Sequence, residues 1–269
     1  MNRTTGVIVA MLVLLATAGA DAAEQDEHGF PKLPPGMPAG YLGTSSLPDS
    51  LALLPPPPEA GSAAAARDED ARKAMTRAPD SPRWKQATSD ADLHFPHGGQ
   101  VFACTTGVAP DKDTTPALYR LLQRSLLDIG LSTYKAKNHY KRVRPFVAMG
   151  TASCSPGDEA MLRGDGSYPS GHAAVGWGWA LLMAEIDPDN ADAILQRGRD
   201  FGQSRLVCNV HWQSDVEAGR LVASAAVARL HADPGFMADL QAAKAEFAAA
   251  RVAGKPALAD CAAERESLR

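Results

Sequence analysis

His211 and Asp215 are the clearest candidates for catalysis in this chain, because they lie four residues apart in the segment His-Trp-Gln-Ser-Asp. That spacing brings two side chains together on one face of a helix. A carboxylate at one imidazole nitrogen fixes the tautomer of the ring and leaves the other nitrogen free as a base or nucleophile. Arg205, shortly before His211, adds a planar guanidinium that suits phosphate oxygens. A purely structural His–Asp pair is the alternative interpretation.

A second candidate segment runs from Gly166 to His172 and reads Gly-Ser-Tyr-Pro-Ser-Gly-His. Gly and Ser allow backbone N–H groups to point at one spot, and a helix is predicted to begin just after this segment. The N-terminus of a helix favours anions, so the segment is a candidate anion site with His172 as a proton donor at its edge. An ordinary loop that leads into a helix would have a similar composition.

Lys137 and Arg144 form the third candidate group, followed directly by Pro145. Seven residues at about 100° each come within roughly 20° of two full turns, so we expect the two cations to share a helix face. Two cations on one face repel each other unless an anion joins them. Taken alone, the pair is a weak signal, and a solvated basic face is the favoured interpretation.

Together, these segments resemble the signature of the PAP2 phosphatase and vanadium haloperoxidase superfamily. The signature is Lys-x6-Arg-Pro, then Pro-Ser-Gly-His, then Ser-Arg-x5-His-x3-Asp. All eleven fixed positions match, namely Lys137, Arg144, Pro145, Pro169, Ser170, Gly171, His172, Ser204, Arg205, His211 and Asp215. Within the superfamily the chain resembles a bacterial class A non-specific acid phosphatase, on the segments 53–58, 83–93, 166–172 and 211–215. Ala173 is one departure, because many members have Thr there.

The resemblance implies a secreted acid phosphatase that hydrolyses phosphate monoesters without a metal or other cofactor. Lys137, Arg144 and Arg205 would bind phosphate oxygens, and Ser170 with the backbone N–H of Gly171 would complete the site. His211 would attack phosphorus and carry a phosphoryl group, while Asp215 orients it. His172 would protonate the leaving alkoxide. Ser204 belongs to the signature without an evident chemical role.

The resemblance also implies broad use of small phosphomonoesters, inhibition by vanadate or phosphate, and a homodimer or higher homo-oligomer. Phosphotransfer to alcohols is an expected side activity, because any hydroxyl could replace water. A vanadate-dependent haloperoxidase uses the same residues and is one alternative. A non-catalytic phosphate-binding protein is another, although it would need neither both histidines nor the oriented aspartate.

The composition is that of a folded and mildly acidic protein. The chain has 269 residues, 45% of them hydrophobic, and a formal net charge of −4. This charge argues against a protein that binds nucleic acid through a basic face. Strand-like alternation is absent after residue 100, so we expect an all-α helical bundle. The predicted helices are 68–76, 114–144, 172–188, 190–207, 211–231 and 234–250, with a loop over 153–167.

The N-terminus predicts export. Residues 1–22 contain Arg3, an apolar run from Gly6 to Ala18 and then Ala20-Asp21-Ala22, which is the layout of a secretory signal peptide. A membrane anchor is the alternative, but the run is shorter than the ~20 residues of a span. We therefore expect a periplasmic or secreted protein, with a Pro/Ala-rich arm over 23–70 and a helical catalytic domain over 71–269.

The four cysteines form an even set, which in an oxidising compartment predicts two disulfides. Four cysteines allow three pairings. Under the resemblance, the segments that contain Cys154 and Cys208 converge on one phosphate, so we expect a bridge between these two. Cys104 would then pair with Cys261.

Overall fold

The computed structural model describes residue 30, residues 37–254 and residues 261–268. The predicted signal peptide lies outside these residues. The described residues contain helices and no strands, which confirms the all-α class. Thirteen α-helices follow one another in this part of the chain: α1 Ser50–Leu53, α2 Ala63–Met75, α3 Pro82–Ser89, α4 Ala103–Thr106, α5 Pro116–Leu131, α6 Tyr134–Tyr140, α7 Pro145–Met149, α8 Glu159–Gly164, α9 Gly171–Ile186, α10 Ala191–Val207, α11 Gln213–Leu230, α12 Pro234–Ala253 and α13 Cys261–Ser267.

Helix α9 lies at the centre of the fold, because it is apolar on nearly every face. Such a helix is stable only when other elements cover it, and α5, α10 and α11 pack around it. Trp179 and Leu182 on α9 are fully buried, and the indole N–H of Trp179 donates to the carbonyl of Leu122 on α5 at 3.0 Å. On α10, Gly198 leaves no room for a Cβ against Ala180, so α9 and α10 approach closely.

The predicted helix over 114–144 is interrupted, and this separates two of the candidate cations. Helix α5 ends at Leu131, where the hydroxyls of Ser132 and Thr133 bond to nearby backbone carbonyls at 2.6 and 2.7 Å. Such local bonds compete with the helical ladder. Arg144 is extended, with ψ 151°, because it precedes a proline. The prediction that Lys137 and Arg144 share a helix face is therefore wrong.

Two other segments differ from the sequence prediction. The predicted loop over 153–167 contains the short helix α8. Helix α2 begins at Ala63 rather than Asp68, because Ser62 caps it by accepting a bond from the backbone N–H of Ala65 at 3.1 Å. The segment 23–70, expected to be an arm, therefore includes α1 and the first half of α2.

Two disulfides join the same cysteine pairs that the sequence predicted. Cys154–Cys208 connects the loop after α7 to the end of α10, and Cys104–Cys261 connects α4 to α13. Loop closure of this length stabilises a fold by roughly 4–5 kcal/mol in the chain-entropy model. No helix in the described part of the chain is long and apolar enough to cross a membrane.

Candidate active site

The predicted site residues converge at the N-terminal end of α9, beside a cavity of about 620 Å³. Lys137, Arg144, Gly171, His172 and His211 line this cavity directly. They come from α6, α7, α9 and the turn before α11, so the tertiary fold assembles the group. A second cavity, of about 590 Å³, lies beside Arg197 and contains none of the predicted site residues.

Lys137 and Arg144 meet across a single carboxylate, that of Asp165 in the loop after α8. The Oδ2 atom of Asp165 accepts from Lys137 Nζ at 3.1 Å and from Arg144 Nη2 at 2.9 Å. Both cations are buried, and burial lowers the pKa of each, although Asp165 opposes this effect. Two neighbouring cations repel each other unless an anion lies between them. The carboxylate of Asp165 provides part of that negative charge from within the protein.

Arg205 differs from the other two cations, because part of its guanidinium has no partner. Its side chain is 2% exposed, and within the described residues nothing accepts a hydrogen bond from Nε or Nη1. Burial and the nearby charge of Arg144 lower the pKa of Arg205 to about 10. Buried polar groups are almost always hydrogen-bonded, so these two N–H groups mark the position of a missing acceptor.

Ser170 and Gly171 start α9 and turn the backbone towards the site. Ser170 is the N-cap, and its hydroxyl accepts from the backbone N–H of Ala173 at 3.2 Å. Its own N–H donates to the carbonyl of Asp215 at 2.9 Å, which ties α9 to the first turn of α11. Gly219 on α11 allows this approach, because a Cβ there would collide with the carbonyl oxygen of Ser170. Ala173 itself is buried within a small cluster that also contains Leu206.

His211 lies just before α11, with its ring between Arg144 and Asp215. Arg144 Nη1 lies 3.0 Å from Nε2. Because a guanidinium only donates, Nε2 is unprotonated and Nδ1 carries the proton of the ring. Burial lowers the pKa of His211 well below 6.5, and the charges of Arg144 and Lys137 lower it further. The neutral ring therefore has its one lone pair on Nε2, where it accepts the hydrogen bond from Arg144.

Asp215 is fully buried next to His211, although the two residues do not share a helix face. Helix α11 begins at Gln213, after His211, so that part of the prediction is wrong. The residues still meet, with Nδ1 of His211 3.4 Å from Oδ2, because Trp212 donates its N–H to the same oxygen at 2.8 Å. Burial raises the pKa of Asp215, and Arg142, 2.5 Å from Oδ1, counteracts this rise.

Asp68 on α2 holds Arg142 in place, and the motifs gave no sign of either residue. Arg142 Nη2 donates to Asp68 Oδ2 at 2.7 Å. The backbone N–H of Ser214 and its hydroxyl also donate to this carboxylate, at 2.8 and 2.6 Å. Asp68 is 1% exposed. Helix α2, which begins inside the segment 23–70 that was predicted to be an arm, therefore supports the first turn of α11.

His172 is held by a backbone carbonyl instead of a carboxylate. Its Nε2 lies 3.0 Å from the carbonyl oxygen of Ala91. A carbonyl only accepts, so Nε2 carries a proton and Nδ1 is the atom that can take or release a second one. Burial lowers the pKa of His172 well below 6.5, and Arg205 lowers it further.

The carbonyl that holds His172 belongs to Ala91. The residue before it in the chain, Asp90, is anchored to α10. Arg197 donates to both carboxylate oxygens of Asp90, at 2.6 and 3.2 Å, and the hydroxyl of Ser204 donates at 2.5 Å. Burial alone would raise the pKa of Asp90, but Arg197 and Ser204 outweigh it and lower that pKa. The sequence alone gave Ser204 no chemical role. In the structure its hydroxyl bonds to Asp90, and the next residue on α10 is Arg205.

Comparison with known proteins decides the family. Residues 120–235 match the model of the PAP2 superfamily. The chain is 44% identical to a non-specific acid phosphatase of Providencia stuartii over 226 residues, which is 81% of this chain and 91% of that protein. This chain belongs to the class A non-specific acid phosphatases.

Two further relatives agree with this assignment. The chain is 43% identical to an acid phosphatase of Zymomonas mobilis over 190 residues, which is 69% of this chain and 70% of that protein. A non-specific acid phosphatase of Salmonella typhimurium is 43% identical over 169 residues, 62% of this chain and 67% of that protein.

In this PAP2 protein, the motif positions are only the inner part of the site. Asp68, Asp90 and Arg142 support these residues from outside, and Asp165 bonds directly to Lys137 and Arg144. All four lie outside the signature. Asp165 precedes the predicted anion segment directly, so its position in the sequence was a usable signal. Asp68 and Asp90 reach the site only through the packing of α2 and α3 against α10 and α11, which no local pattern reveals.

Proposed function

We propose that this PAP2 protein is a periplasmic or secreted acid phosphatase that hydrolyses phosphate monoesters through a phosphohistidine intermediate. The observation that carries the proposal is the buried guanidinium of Arg205, whose Nε and Nη1 have no acceptor within the described residues. A buried cation without an acceptor is unfavourable unless an anion completes the site. The oxygens of a phosphate group are suitable acceptors, because an arginine fork matches their geometry.

The bound phosphate would lie between three cations and the start of α9. Arg205 offers two open N–H groups, while Lys137 and Arg144 lie on the cavity wall. We propose that the hydroxyl of Ser170 and the backbone N–H of Gly171 complete the site, because both belong to the N-terminus of α9, which itself favours an anion. Phosphoryl transfer needs positioning and charge stabilisation above all. We propose that these groups supply both.

In the first step, Nε2 of His211 gives up its hydrogen bond from Arg144 and attacks phosphorus with the same lone pair. A P–N bond forms while the bond from phosphorus to the ester oxygen breaks. His172 transfers a proton from Nδ1 to that oxygen, so the leaving group departs as a neutral alcohol. Asp215 accepts the Nδ1–H of His211 and stabilises the positive charge that develops on the ring.

In the second step, a water molecule attacks the phosphoryl group. The P–N bond breaks, and Nδ1 of His172 takes a proton from the water. Phosphate then leaves, His211 is neutral again and His172 has regained its proton. An alcohol in place of water would give a new phosphate ester, which is the proposed phosphotransferase side activity.

The substrate itself favours the protonated form of His172 that the first step requires. In the free protein, burial and Arg205 lower the pKa of His172. A phosphate anion beside Arg205 cancels part of that positive field and raises the pKa again. Acidic conditions favour this protonation further, in agreement with an acid phosphatase.

The decisive experiment compares His211→Ala with His139→Ala, which alters an exposed histidine on α6. We expect His211→Ala to lower kcat for p-nitrophenyl phosphate by about 10⁴-fold or more, because the nucleophile is lost. Rapid quenching with labelled substrate should trap an acid-labile phosphoenzyme in the wild type and in His139→Ala only. Full activity of His211→Ala, or a phosphoenzyme formed by it, would reject the mechanism. Hydrolysis by the wild type also separates this proposal from a non-catalytic phosphate-binding protein.

The location and the assembly state belong to the same proposal. The predicted signal peptide and the two disulfides favour an oxidising compartment outside the cytoplasm. We propose a homodimer, which light scattering would test on the mature chain. Inorganic phosphate and vanadate are the proposed competitive inhibitors, because both would occupy the site of the phosphoryl group.

A further inference from the structure

Asp165 lies at the proposed phosphate site and has no part in the two chemical steps. Its side chain is 22% exposed and belongs to the residue that directly follows α8. Its Oδ2 atom is hydrogen-bonded to both Lys137 and Arg144. A negative group therefore already occupies the position in which two of the three cations would receive a phosphate oxygen.

The donors of Arg144 are all directed at protein acceptors. Its Nε points at the carbonyls of Leu162 and Asp165, at 2.9 and 3.0 Å. Nη1 points at the carbonyl of Val210, at 3.1 Å, and at Nε2 of His211. Nη2 points at the carboxylate of Asp165, at 2.9 Å, and at the carbonyl of Gly166, at 3.4 Å. A phosphate oxygen can therefore bind Arg144 only by replacing one of these acceptors.

Asp165 is the acceptor that can be exchanged. The carbonyls are fixed in the backbone, and Nε2 of His211 gives up its bond from Arg144 only when it attacks phosphorus, which is after the substrate has bound. The carboxylate is on a side chain, reaches solvent, and carries the same sign of charge as the substrate. The same holds for Lys137. Its Nζ donates to the carboxylate of Asp165, which can be exchanged, and, at 2.6 Å, to the backbone carbonyl of Gly166, which is fixed.

We propose that the carboxylate of Asp165 is a built-in competitor of phosphate at this site. It neutralises Lys137 and Arg144 while the site is free, and the phosphate group displaces it from Arg144 Nη2 and Lys137 Nζ on binding. The inference rests on the proposed function, because it assumes that a phosphate group binds among these cations. It makes Asp165 a determinant of affinity that sets how tightly substrate and product are held.

Two effects of opposite sign follow from this role. In the free protein, loss of the carboxylate leaves Lys137 and Arg144 to repel each other, so Asp165→Asn should lower the melting temperature. In the complex, the same change removes a like charge beside the phosphate, so binding should become tighter. A merely structural aspartate would weaken both stability and binding when it is replaced.

The test uses calorimetry with inorganic phosphate on the full mature protein, at one pH and ionic strength. Glu159→Gln is the matched control, because Glu159 lies in the same segment, is 20% exposed and pairs with Arg163. We expect Asp165→Asn to bind phosphate about tenfold more tightly and to lower KM for p-nitrophenyl phosphate more than it changes kcat. Glu159→Gln should leave both values within about twofold of the wild type.

Each outcome is informative. Unchanged or weaker binding by Asp165→Asn, while the wild type hydrolyses the ester, would overturn the inference and leave the proposed function intact. A wild type that neither binds phosphate nor hydrolyses the ester would overturn both. Circular dichroism and thermal melts verify folding, and Asp165→Ser provides a second variant if Asp165→Asn does not fold.

Discussion

The two histidines of the site are supported in different ways. His211 has a carboxylate on one side of its ring and a guanidinium on the other, with Asp215 and Arg144 as partners. His172 bonds to the neutral carbonyl of Ala91. Each histidine also has an aspartate–arginine pair one layer further out, which is Asp68–Arg142 for His211 and Asp90–Arg197 for His172. Only at His211 does an aspartate touch the ring itself.

This difference matches the tasks that we propose for the two rings. A nucleophile that becomes positively charged on phosphorylation is stabilised by a carboxylate, and Asp215 provides one. A general acid must release its proton, and a carboxylate partner would hold that proton more strongly. A carbonyl orients His172 without adding a charge. The same residue type is therefore directed to two roles by the charge of its partner.

Among the changes that distinguish the supports of the two histidines, the largest expected effect comes from removing the general acid. We expect His172→Ala to slow hydrolysis of alkyl phosphates by about 10²–10⁴-fold, the usual contribution of a positioned acid. Formation of the phosphoenzyme from p-nitrophenyl phosphate should fall far less, because p-nitrophenolate leaves without a proton. Rapid-quench kinetics of phosphoenzyme formation on a series of esters with different leaving-group pKa values measures this, apart from the second step, in which His172 serves every ester as the base. Equal losses of that first-step rate for all esters would contradict the division of labour between the two histidines.

The outer supports allow a finer comparison of the two sides. We expect Asp90→Asn to slow phosphoenzyme formation from alkyl esters about tenfold more than from p-nitrophenyl phosphate, since it loosens the loop that positions His172. Asp68→Asn should slow phosphoenzyme formation from both kinds of ester alike, because it acts through Arg142 and Asp215 on the nucleophile. Rapid-quench kinetics well below each melting temperature tests this, since loss of one partner of a buried pair also lowers the free energy of unfolding.

The smallest effect concerns stability and pH. The pKa values of His211 and His172 are lowered in the folded protein, so below about pH 6.5 the unfolded chain binds more protons than the folded chain. This contribution to stability is fully present above pH 6.5 and is lost as the pH falls. We expect the melting temperature in phosphate-free buffer to drop between pH 7 and 5, and to drop about 2–4 °C less in His211→Gln. An identical drop in this variant would show that His211 is not responsible.

The sequence predicted the long helices well where one apolar pattern ran without interruption. Helices α9 to α12 begin and end within a few residues of their predicted positions. The errors lie where side chains compete with the backbone, as at Ser132 and Thr133, or where a proline imposes an extended residue, as at Arg144. In these places a local hydrogen bond or a steric clash outweighs helical periodicity.

By itself, the sequence determined the residue types of the site, their family and the all-α class. It did so because phosphate chemistry restricts the motif to a few cations, two histidines and one aspartate at fixed spacings. Only the tertiary structure decided how those residues are charged and held. Burial, and contacts between segments far apart in the chain, lower the pKa values of the histidines, leave Arg205 with open N–H groups and place Asp165 on the cations. These properties depend on distances through space, and the order of residues along the chain does not specify them.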